Sequence, residues 1–466
     1  GMSKNELQVK AFREYFPNLM VPRFNTSIGA LGVALQALDI EQKCTFDPET
    51  IKRAAGEIKI SAPTAPRLAL KKTKFPESNE VKRSILKKGM KAYLGIDIGS
   101  TTTKYALINE KREIIHKCYI PTQGKPIEVT QKLLKHIRDE VGDMVEIIGT
   151  ATTGSGRNVV GDFLNVDLII DEITAHARGA VEIDAQVDTI FEIGGQDSKY
   201  IYIVNTYPLD FDMNKVCAAG TGSFLHELAN KYGINIVGEF QEIALSSEKP
   251  VKLAERCTVF MESDLVSYLQ QGVSKTDLIA GLCYAIVHNY LNRVVGKRPV
   301  GRRVMFLGGP SLNKGVVAAF ENVLGRELIV PKHREVLGAF GAAVSVQEHM
   351  RAEGKTKSSF RGLESAINDK MDYKEKVCKV DPNCHNQCKL KIYDFDGRRS
   401  IWGGECGRYE ITQSRSGRKP NYFKFRTEVW EKFMEGVYLQ LREAPILEVD
   451  GRPTVGMQRS LFGYQT

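Results

Sequence analysis

Apolar positions follow two repeating patterns between about residue 91 and residue 350. Short apolar runs that border Gly-rich turns predict strands, and they include "AYLGIDIG", "KYALIN", "VEIIGT" and "VDTIFEIGG". Segments in which apolar residues recur every three or four positions predict helices, and they include "IEVTQKLLKHIRDEV" and "SKTDLIAGLCYAIVHNYLNRVVG". Strands and helices mixed in this way predict an α/β domain over residues 91–350.

A short internal repeat accompanies these patterns. Residues 21–35, "VPRFNTSIGALGVAL", match residues 330–344, "VPKHREVLGAFGAAV", at a constant offset of 309 positions. The spacing of Gly29 and Gly32 recurs in the second copy, and small residues at that spacing let a helix approach a neighbouring backbone closely. Chance similarity between two Gly- and Ala-rich segments is one interpretation. The other, which we adopt, makes residues 1–45 the tail of a preceding copy of the domain.

The segments outside the α/β domain differ from it in composition. Residues 46–90 and 351–375 have no sustained hydrophobic period, so they are predicted to be linkers. Residues 376–425 contain a cluster of cysteines. Within residues 426–466, "TEVWEKFMEGVYLQLREA" predicts a helix and "PTVGMQRSLFGYQT" predicts the first strand of a further domain.

Composition and charge exclude several classes of protein. Hydrophobic residues make up 42% of the 466 positions and charged residues 26%, which is typical of a globular protein. No apolar run is long enough to span a bilayer and no secretory signal is visible, so we expect a cytoplasmic protein without a membrane partner. The net charge is +9, but the basic clusters lack interleaved aromatic residues. This favours solvated faces or contacts with an anionic partner over nucleic-acid binding.

Three Gly-rich turns carry the candidate nucleotide chemistry. The first, "GIDIGSTTTK", places Asp97 at a strand end, where it can hold Mg²⁺ through water, and offers Lys104 to phosphate charge. The second, "FEIGGQDSK", repeats that plan with Gln196 and Asp197, and in the third, "FLGGPSLNKG", a flat base can lie against bare backbone. The candidate nucleotide-binding residues are Gly99, Ser100, Thr101, Thr102, Thr103, Lys104, Gly194, Gly195, Gly308, Gly309, Pro310 and Ser311.

The order of the three turns is more specific than any one of them. Each alone is typical of an ordinary hairpin, but together they predict a nucleotide held between two hairpins. The chain has no GxxxxGK[ST] motif, which excludes a P-loop. Hydrolysis needs a positioned water and compensated phosphate charge, so Asp97 and Asp197 are the candidate catalytic residues, with Gln196 assisting. Which of them is the base stays open, and Glu192 can be structural.

The nine cysteines favour metal over disulfides, because their number is odd and no secretory signal accompanies them. Cys378, Cys384, Cys388 and Cys406 predict a four-thiolate site for Zn²⁺ or, alternatively, for an iron–sulfur cluster. His385 can replace one of these thiolates. Reduced free thiols are the remaining interpretation.

Cys217 precedes a Gly-rich turn and a predicted helix in "FDMNKVCAAGTGSFLHELANKYG". Either its side chain is a small apolar filler, or its thiolate is held at the helix start for chemistry. Cys283 lies on the helix predicted over residues 275–295 and is expected in the core.

The three turns resemble the two phosphate motifs and the adenosine motif of the actin, heat-shock ATPase and sugar-kinase superfamily. "TAHARGA" at 174–180 resembles the first connecting helix of that superfamily. The resemblance implies an actin-like ATPase with two ribonuclease-H-like subdomains and with ATP or ADP and Mg²⁺ in the cleft between them. "MNKVCAAGTGSFLHELA", "ERCTVFMES" and "TTGSGR" are similar to a narrower group, the BadF/BadG/BcrA/BcrD family of activators of 2-hydroxyacyl-CoA dehydratases and benzoyl-CoA reductases.

The narrower resemblance implies a [4Fe–4S] cluster shared across a two-fold axis by two activator domains, with Cys217 and Cys257 as this chain's ligands. It also implies that ATP hydrolysis drives a low-potential electron into a dehydratase or reductase component that acts on an acyl-CoA. A donor such as ferredoxin or flavodoxin would supply that electron. Larger fused activators resemble the whole layout, so we expect this chain to be a fragment of one, with residues 426–466 starting a dehydratase-like domain.

Two other functions fit the same fold. A small-molecule kinase, such as an N-acetylglucosamine kinase, needs an acidic base for the sugar and gives no role to Cys217 and Cys257. A non-catalytic nucleotide-binding module would bind ATP without turnover. Cys217 and Cys257 can also be ordinary buried thiols.

Overall fold

The computed structural model describes most of the chain between residues 62 and 395 and parts of both ends. The described residues are 2–40, 47–50, 62–81, 86–214, 220–369, 372–382, 384–395, 398–404, 406, 409, 426–433 and 435. The chain divides into two compact units, one of residues 1–63 with 266–274 and one of residues 64–265 with 275–466.

The first unit contains two short helices, α1 (Glu6–Tyr15) and α2 (Ile28–Leu38). Asn5 caps α1, because its side-chain oxygen accepts hydrogen bonds from the backbone N–H groups of Leu7 and Gln8. Neither helix contains a buried residue among those described, although α2 is strongly apolar. Helix α2 therefore presents an uncovered hydrophobic surface.

The second unit is organised around two mixed sheets. In the first sheet, β1 (Met90–Ile98) pairs antiparallel with β2 (Thr102–Asn109) and parallel with β4 (Val145–Thr153). Strand β2 also pairs antiparallel with β3 (Ile114–Pro121), and β4 pairs parallel with β5 (Leu168–Ile169). The strand order is therefore β3-β2-β1-β4-β5.

The second sheet repeats the plan of the first. Strand β6 (Thr189–Ile193) pairs antiparallel with β7 (Ser198–Val204) and parallel with β9 (Val304–Leu307). Strand β7 pairs antiparallel with β8 (Tyr207–Met213), so the order is β8-β7-β6-β9. In both sheets a buried strand runs into a tight turn and returns as its antiparallel neighbour, which makes the two turns equivalent.

Two helices of the second unit, α5 (Glu172–Ile183) and α10 (Lys314–Leu324), begin at conventional capping residues. Asp171 caps α5 by accepting the N–H of Thr174, and Asn313 caps α10, which ends at Gly325 in the left-handed conformation. The bounds are α3 (Pro126–Val141), α4 (Arg157–Leu164), α5 (Glu172–Ile183), α6 (Gly222–Lys231), α7 (Glu239–Ser246), α8 (Thr258–Gln270), α9 (Lys275–Tyr290), α10 (Lys314–Leu324), α11 (Leu337–Ala352) and α12 (Leu363–Asn368).

Helices α5 and α11 pack closely against each other, and one hydrophobic cluster joins them to both sheets. Glycines allow the close contact. A Cβ added at Gly179 would lie 2.8 Å from the carbonyl oxygen of Leu337, and one added at Gly341 would collide with the carbonyl oxygen of Ala175. The small residues of the second repeat copy therefore serve helix–helix packing.

The segment of residues 64–81, which we call the strap, is extended and bound to the second unit. Thr64 forms a β-bridge with Val251, and Leu68 is buried. The Glu321 carboxylate accepts hydrogen bonds from the backbone N–H groups of Lys71, Lys72 and Thr73 at 2.7–2.9 Å. The composition that predicted a linker thus corresponds to an extended segment without helix, but one fixed to the domain surface.

The predicted second linker is also packed against the domain. Asp167 accepts a hydrogen bond from the N–H of Ser359 at 2.7 Å, and Gln131 of α3 donates to the carbonyl oxygen of Asp369 at 2.8 Å. Beyond it, β10 (Tyr373–Val377), β11 (Lys389–Phe395) and β12 (Arg398–Trp402) form an antiparallel sheet.

That small sheet shares the core of the first large sheet. The rings of Phe395 and Phe163 lie 5.8 Å apart, and Tyr393 and Phe395 belong to the same hydrophobic cluster as helices α3 and α4. The cysteine-rich segment is therefore built onto the α/β domain through buried aromatic side chains.

The strands and helices predicted from periodicity between residues 91 and 350 are confirmed, and Cys283 is fully buried in α9 as expected. The strand predicted over residues 453–466 lies outside the described residues. Helix α9 ends at Tyr290, and the turns that follow it over Leu291–Val295 are π-helical. Strands β3 and β8 were missed, because each is the outer strand of its meander and mixes apolar with charged or proline residues. Residues 426–433 are helical, as predicted. No described helix is long and apolar enough to cross a membrane.

Candidate nucleotide site

The turns after β1 and β6 place the same kinds of side chain in the same register. Asp97, near the end of β1, lies opposite Lys104 on β2. Glu192, near the end of β6, lies opposite Lys199 on β7. Each turn therefore pairs a carboxylate with a lysine at its base.

Both turns are closed in the same way. The N–H of Gly99 donates to the carbonyl oxygen of Thr102 at 3.0 Å, and the N–H of Gly194 donates to that of Asp197 at 2.8 Å. The two turns line one cleft. Its residues are Asp97, Gly99, Ser100, Thr101, Thr102, Lys104, Glu172, His176, Glu192, Gly194, Gly195, Gln196, Asp197 and Lys199. Thr103 is not among them, because its hydroxyl is buried 2.8 Å from that of Thr122.

Asp97 and Lys104 form an ion pair with an Oδ2–Nζ distance of 2.9 Å, and both side chains are largely buried. Burial acts to raise the pKa of Asp97, but the charges of Lys104 and His176 outweigh it, so the pKa lies below its usual range. Burial likewise acts to lower the pKa of Lys104, and Asp97 raises it by more. Asp97 is therefore held as a carboxylate beside a lysine that stays charged.

Lys199 connects the second sheet to helix α5 at the cleft. Its Nζ lies 2.9 Å from Oε2 of Glu172, at the start of α5, and 3.2 Å from Oε2 of Glu192. Burial acts to lower the pKa of Lys199, yet the two carboxylates raise it well above its ordinary value. A second buried cation thus faces the cleft.

Asp197 differs from Asp97 in its electrostatic surroundings. Burial is the largest effect on Asp197 and raises its pKa, and the nearby Glu172 and Glu192 act in the same direction. A carboxyl group with a raised pKa accepts a proton more readily than one held by an ion pair. Of the two predicted aspartates, Asp197 therefore has the more basic carboxylate.

Thr101 carries a buried hydroxyl with no hydrogen-bond partner among the described residues. Its side-chain atoms lie 2.8–2.9 Å from the position that a Cβ on Gly195 would occupy, so the hydroxyl lies between the two turns. An unpaired buried hydroxyl is costly, and a phosphate oxygen in the cleft would satisfy it. The two lysines and this hydroxyl therefore fit a polyphosphate group.

The third turn follows β9. Gly308 has a φ of +87°, and a Cβ there would collide with the carbonyl oxygen of Ile193, so this position requires glycine. The turn is closed by Ser311, whose hydroxyl donates to the carbonyl oxygen of Gly308 at 2.5 Å. Gly309 and Pro310 open the short 3₁₀ turn Gly309–Leu312, which leads into α10.

The segment around Cys217 is bound to the second turn at both of its described ends. On one side, the Asn214 side chain accepts the N–H of Ser198 at 2.7 Å and donates to the carbonyl oxygen of Gln196 at 3.1 Å. On the other, the N–H of Gly222 donates to the carbonyl oxygen of Gly194 at 2.8 Å. The first N–H groups of α6 are thus engaged by the second turn.

A family model for the BadF/BadG/BcrA/BcrD ATPase family matches residues 94–346, which include all three turns. The chain belongs to this family. Its α/β fold is the actin-like ATPase fold, as shown by the crystal structure of the activator of 2-hydroxyisocaproyl-CoA dehydratase from Clostridium difficile with bound ADPNP. That structure is 30% identical, with a TM-score of 0.52, and the match covers 58% of this chain and 100% of that one.

Two further relatives match the same part of the chain and differ in how much of their own length is covered. The (R)-2-hydroxyglutaryl-CoA dehydratase activating ATPase of Acidaminococcus fermentans is 35% identical over 54% of this chain and 95% of its own length. The uncharacterized protein MJ0800 of Methanocaldococcus jannaschii is also 35% identical, and the match covers 54% of this chain and 61% of that protein.

Of the two cysteines expected to bind a cluster in this ATPase family domain, Cys257 is described. It is half-buried directly before α8, and its carbonyl oxygen accepts the N–H of Met261. The adjacent Arg256 carbonyl oxygen accepts a hydrogen bond from Asn289 at 3.2 Å. Cys217 lies outside the described residues, so the proximity of the Cys217 and Cys257 sulfur atoms stays a prediction.

In the cysteine-rich segment, the backbones of two of the four predicted metal ligands are hydrogen-bonded. The N–H of Cys378 donates to the carbonyl oxygen of Cys388 at 2.8 Å. Cys384 and Cys406 are exposed. Within the described part of the chain, no group of three or more His, Cys, Asp or Glu side chains is placed to hold a metal ion. The metal site at Cys378–Cys406 therefore stays a prediction.

Three cleft residues were not predicted from the sequence: Glu172, His176 and Lys199. Glu172 and His176 lie on α5, where Nδ1 of His176 is 2.9 Å from the carbonyl oxygen of Glu172. Lys199 has a signal in the sequence, because "DIGSTTTK" and "EIGGQDSK" align without a gap and end in lysine. That alignment also makes Glu192 the counterpart of Asp97.

Proposed function

We propose that this chain is an ATP-dependent activator of a 2-hydroxyacyl-CoA dehydratase-type enzyme. The named relatives are activators of 2-hydroxyglutaryl-, 2-hydroxyisocaproyl- and lactoyl-CoA dehydratases, and they match along nearly their whole length. A related benzoyl-CoA reductase subunit from Thauera aromatica points to the same class of acyl-CoA partner.

In this proposal the triphosphate lies between the two equivalent turns. Lys104 and Lys199 compensate phosphate charge, and the Thr101 hydroxyl donates to a phosphate oxygen. Asp97 organises Mg²⁺ through water, and Asp197, assisted by Gln196, orients and deprotonates the attacking water. The nucleoside lies against the third turn, Gly308–Ser311.

One observation carries the link from nucleotide to electron transfer. The residues on either side of the Cys217 segment, Asn214 and Gly222, are hydrogen-bonded to the second turn, whose Gln196 and Asp197 line the cleft. Any rearrangement of that turn on hydrolysis must therefore move the attachment points of the Cys217 segment. This supports a mechanical connection between hydrolysis and the proposed cluster site.

We further propose that Cys217 and Cys257 bind a [4Fe–4S] cluster jointly with the same pair from a second activator domain. Such a cluster would supply one-electron chemistry at low potential. A ferredoxin- or flavodoxin-type donor would reduce it, and the acyl-CoA dehydratase or reductase component would receive the electron. Zn²⁺, or a second iron–sulfur cluster, at Cys378, Cys384, Cys388 and Cys406 is a separate proposal, supported by the Cys378–Cys388 backbone contact.

We also propose the limits of the domains. The activator domain covers residues 91–350, residues 376–425 form the cysteine-rich segment, and residues 1–45 are the tail of a preceding repeat. Residues 426–466 begin a dehydratase-like domain. The beginning of α2 and of α11 at equivalent repeat positions, Ile28 and Leu337, supports the repeat assignment.

The decisive experiment is anaerobic reconstitution of the full chain with iron and sulfide. We expect an absorption band at about 400 nm that is lost in Cys217→Ala and in Cys257→Ala. The band should be kept in Cys283→Ala, the control that removes a buried thiol. ATP hydrolysis and ATP-dependent activation of a purified 2-hydroxyacyl-CoA dehydratase component are then measured on the same samples.

Each rival function has its own result. A phosphorylated sugar as product would establish the kinase, and ATP binding without hydrolysis would establish a non-catalytic module. A chain that hydrolyses ATP but assembles no cluster under these conditions would contradict the proposed electron transfer.

A further inference from the structure

The strap lies outside the region shared with the ATPase family, which begins at residue 94, yet it contacts residues next to the third turn of the candidate site. The contact is made by Phe75. Its ring lies 4.6 Å from the guanidinium carbon of Arg334 and 5.3 Å from Nζ of Lys314, the first residue of α10. Both basic residues flank the turn Gly308–Ser311.

Arg334 is connected to that turn through side chain and backbone. Its Nε donates to the carbonyl oxygen of Ser311 at 3.0 Å, and its own carbonyl oxygen accepts the N–H of Gly308 at 3.3 Å. A further donor, Nη1, bonds the carbonyl oxygen of Pro331 at 3.1 Å. Arg334 therefore fixes both ends of the turn.

The buried guanidinium of Arg334 lies against the ring of Phe75. The residue is only 3% exposed, and burial lowers the pKa of its guanidinium. Among the described residues, no carboxylate forms an ion pair with it. Two backbone carbonyl oxygens, those of Ser311 and Pro331, and the adjacent Glu335 carboxylate act on this buried charge, and the face of the Phe75 ring adds a cation–π contact.

Other contacts hold the strap in register for this. Glu321 accepts the three N–H groups just before Phe75, and the side chain of Asn79 just after it donates to Glu335 at 2.8 Å. Glu335 in turn pairs with Lys117 of β3 at 2.5 Å. Phe75 is thus held from both directions along the strap.

We propose that Phe75 of the strap is a positioning residue for the nucleoside part of the nucleotide. It holds Arg334 against the turn Gly308–Ser311 and so preserves the backbone surface on which the base and ribose rest. This inference rests on the proposed nucleotide site, and it adds to that site a segment that the family match does not contain.

The test uses the full chain, with ADP and inorganic tripolyphosphate as probes in titration calorimetry. Phe75→Leu removes the ring face, so we expect about tenfold weaker ADP binding. Tripolyphosphate uses only the first two turns, so its affinity should stay within about twofold. Phe75→Tyr keeps the ring face and should bind both probes like the unmodified chain.

A matched control loosens the strap elsewhere. Tyr284→Phe removes the hydroxyl that donates to the carbonyl oxygen of Pro66 at 2.7 Å, so ADP affinity should not change. The inference would be overturned if Phe75→Leu weakened the binding of ADP and of tripolyphosphate equally, or if it left ADP affinity unchanged. It would also be overturned if Tyr284→Phe weakened ADP binding as much as Phe75→Leu does. Tight ADP binding by a chain that fails to activate a dehydratase would refute the proposed function and leave this inference intact.

Discussion

Helices α2 and α11 begin at equivalent positions of the repeated sequence, yet their surroundings are opposite. Helix α11 is buried along most of its length, and its glycines lie in contact with α5. In α2, a Cβ added at Gly29 or Gly32 would meet no described atom within 4 Å. The repeated Gly and Ala pattern therefore permits close helix packing but does not by itself provide the partner.

The largest expected difference concerns Gly341 and its counterpart Gly32. In Gly341→Ala the new methyl group meets the Ala175 carbonyl oxygen, and we expect a loss of about 3 kcal/mol in the free energy of unfolding. Gly32→Ala should instead stabilise α2 by about 0.5–1 kcal/mol, because Ala favours the helix. Denaturant titration followed by circular dichroism measures both. Equal effects would show that α2 is also packed.

A second comparison uses apolar side chains at equivalent positions. Val344 is fully buried, whereas Leu35 keeps 55% of its surface exposed. Val344→Ala should cost about 2 kcal/mol, since it leaves a cavity, and Leu35→Ala should change stability by no more than about 0.5 kcal/mol. The same titration checks this. A cost of about 2 kcal/mol for Leu35→Ala would reveal a covered α2.

A third comparison reaches the candidate site. A Cβ on Gly338 would lie 2.7 Å from Oδ2 of Asp97 and 2.9 Å from Cε1 of His176, so Gly338→Ala displaces the carboxylate. We expect ATP hydrolysis to fall about tenfold, equivalent to about 1.4 kcal/mol in the barrier. Gly29→Ala, the repeat counterpart, should hydrolyse ATP at the unmodified rate. Full activity of Gly338→Ala would place Asp97 outside the catalytic machinery.

The smallest expected effect is electrostatic. Glu348 of α11 pairs with Arg178 at 2.6 Å and Arg112 at 2.9 Å, and the hydrogen bond from Arg178 lowers its pKa. Its side chain is 43% exposed, so Glu348→Gln should cost only about 1 kcal/mol at pH 7. Because the folded pKa is lowered, this contribution is complete above the unfolded value of about 4.3 and is lost as the pH falls through the folded value.

The control for that prediction is Asp39, the repeat counterpart of Glu348, which forms no ion pair within the described part of the chain. Asp39→Asn should leave stability unchanged at every pH. Unfolding midpoints measured between pH 3 and pH 7 distinguish the two variants. A stability difference for Glu348→Gln that does not shrink as the pH falls below the unfolded value of about 4.3 would contradict the ion-pair explanation.

Local patterns predicted the two equivalent turns after β1 and β6, because a buried strand, a Gly-rich turn and a returning strand follow one another within a short stretch of sequence. One of the two carboxylate partners of Lys199, Glu172, was not predictable in that way. Glu172 lies on a different element, and only the fold brings it within 2.9 Å. The strap was missed for a similar reason, since its backbone is held by Glu321, about 250 positions along the chain.

The contact between Phe395 and Phe163 has a practical consequence for anyone who wishes to isolate the ATPase. The family match stops at residue 346, but the hydrophobic interior of the first large sheet continues into β11. Protein truncated at residue 350 would expose Phe163 and its neighbours to water and invite aggregation. Expression boundaries should therefore lie beyond the small sheet, so that the contact between Phe395 and Phe163 is retained.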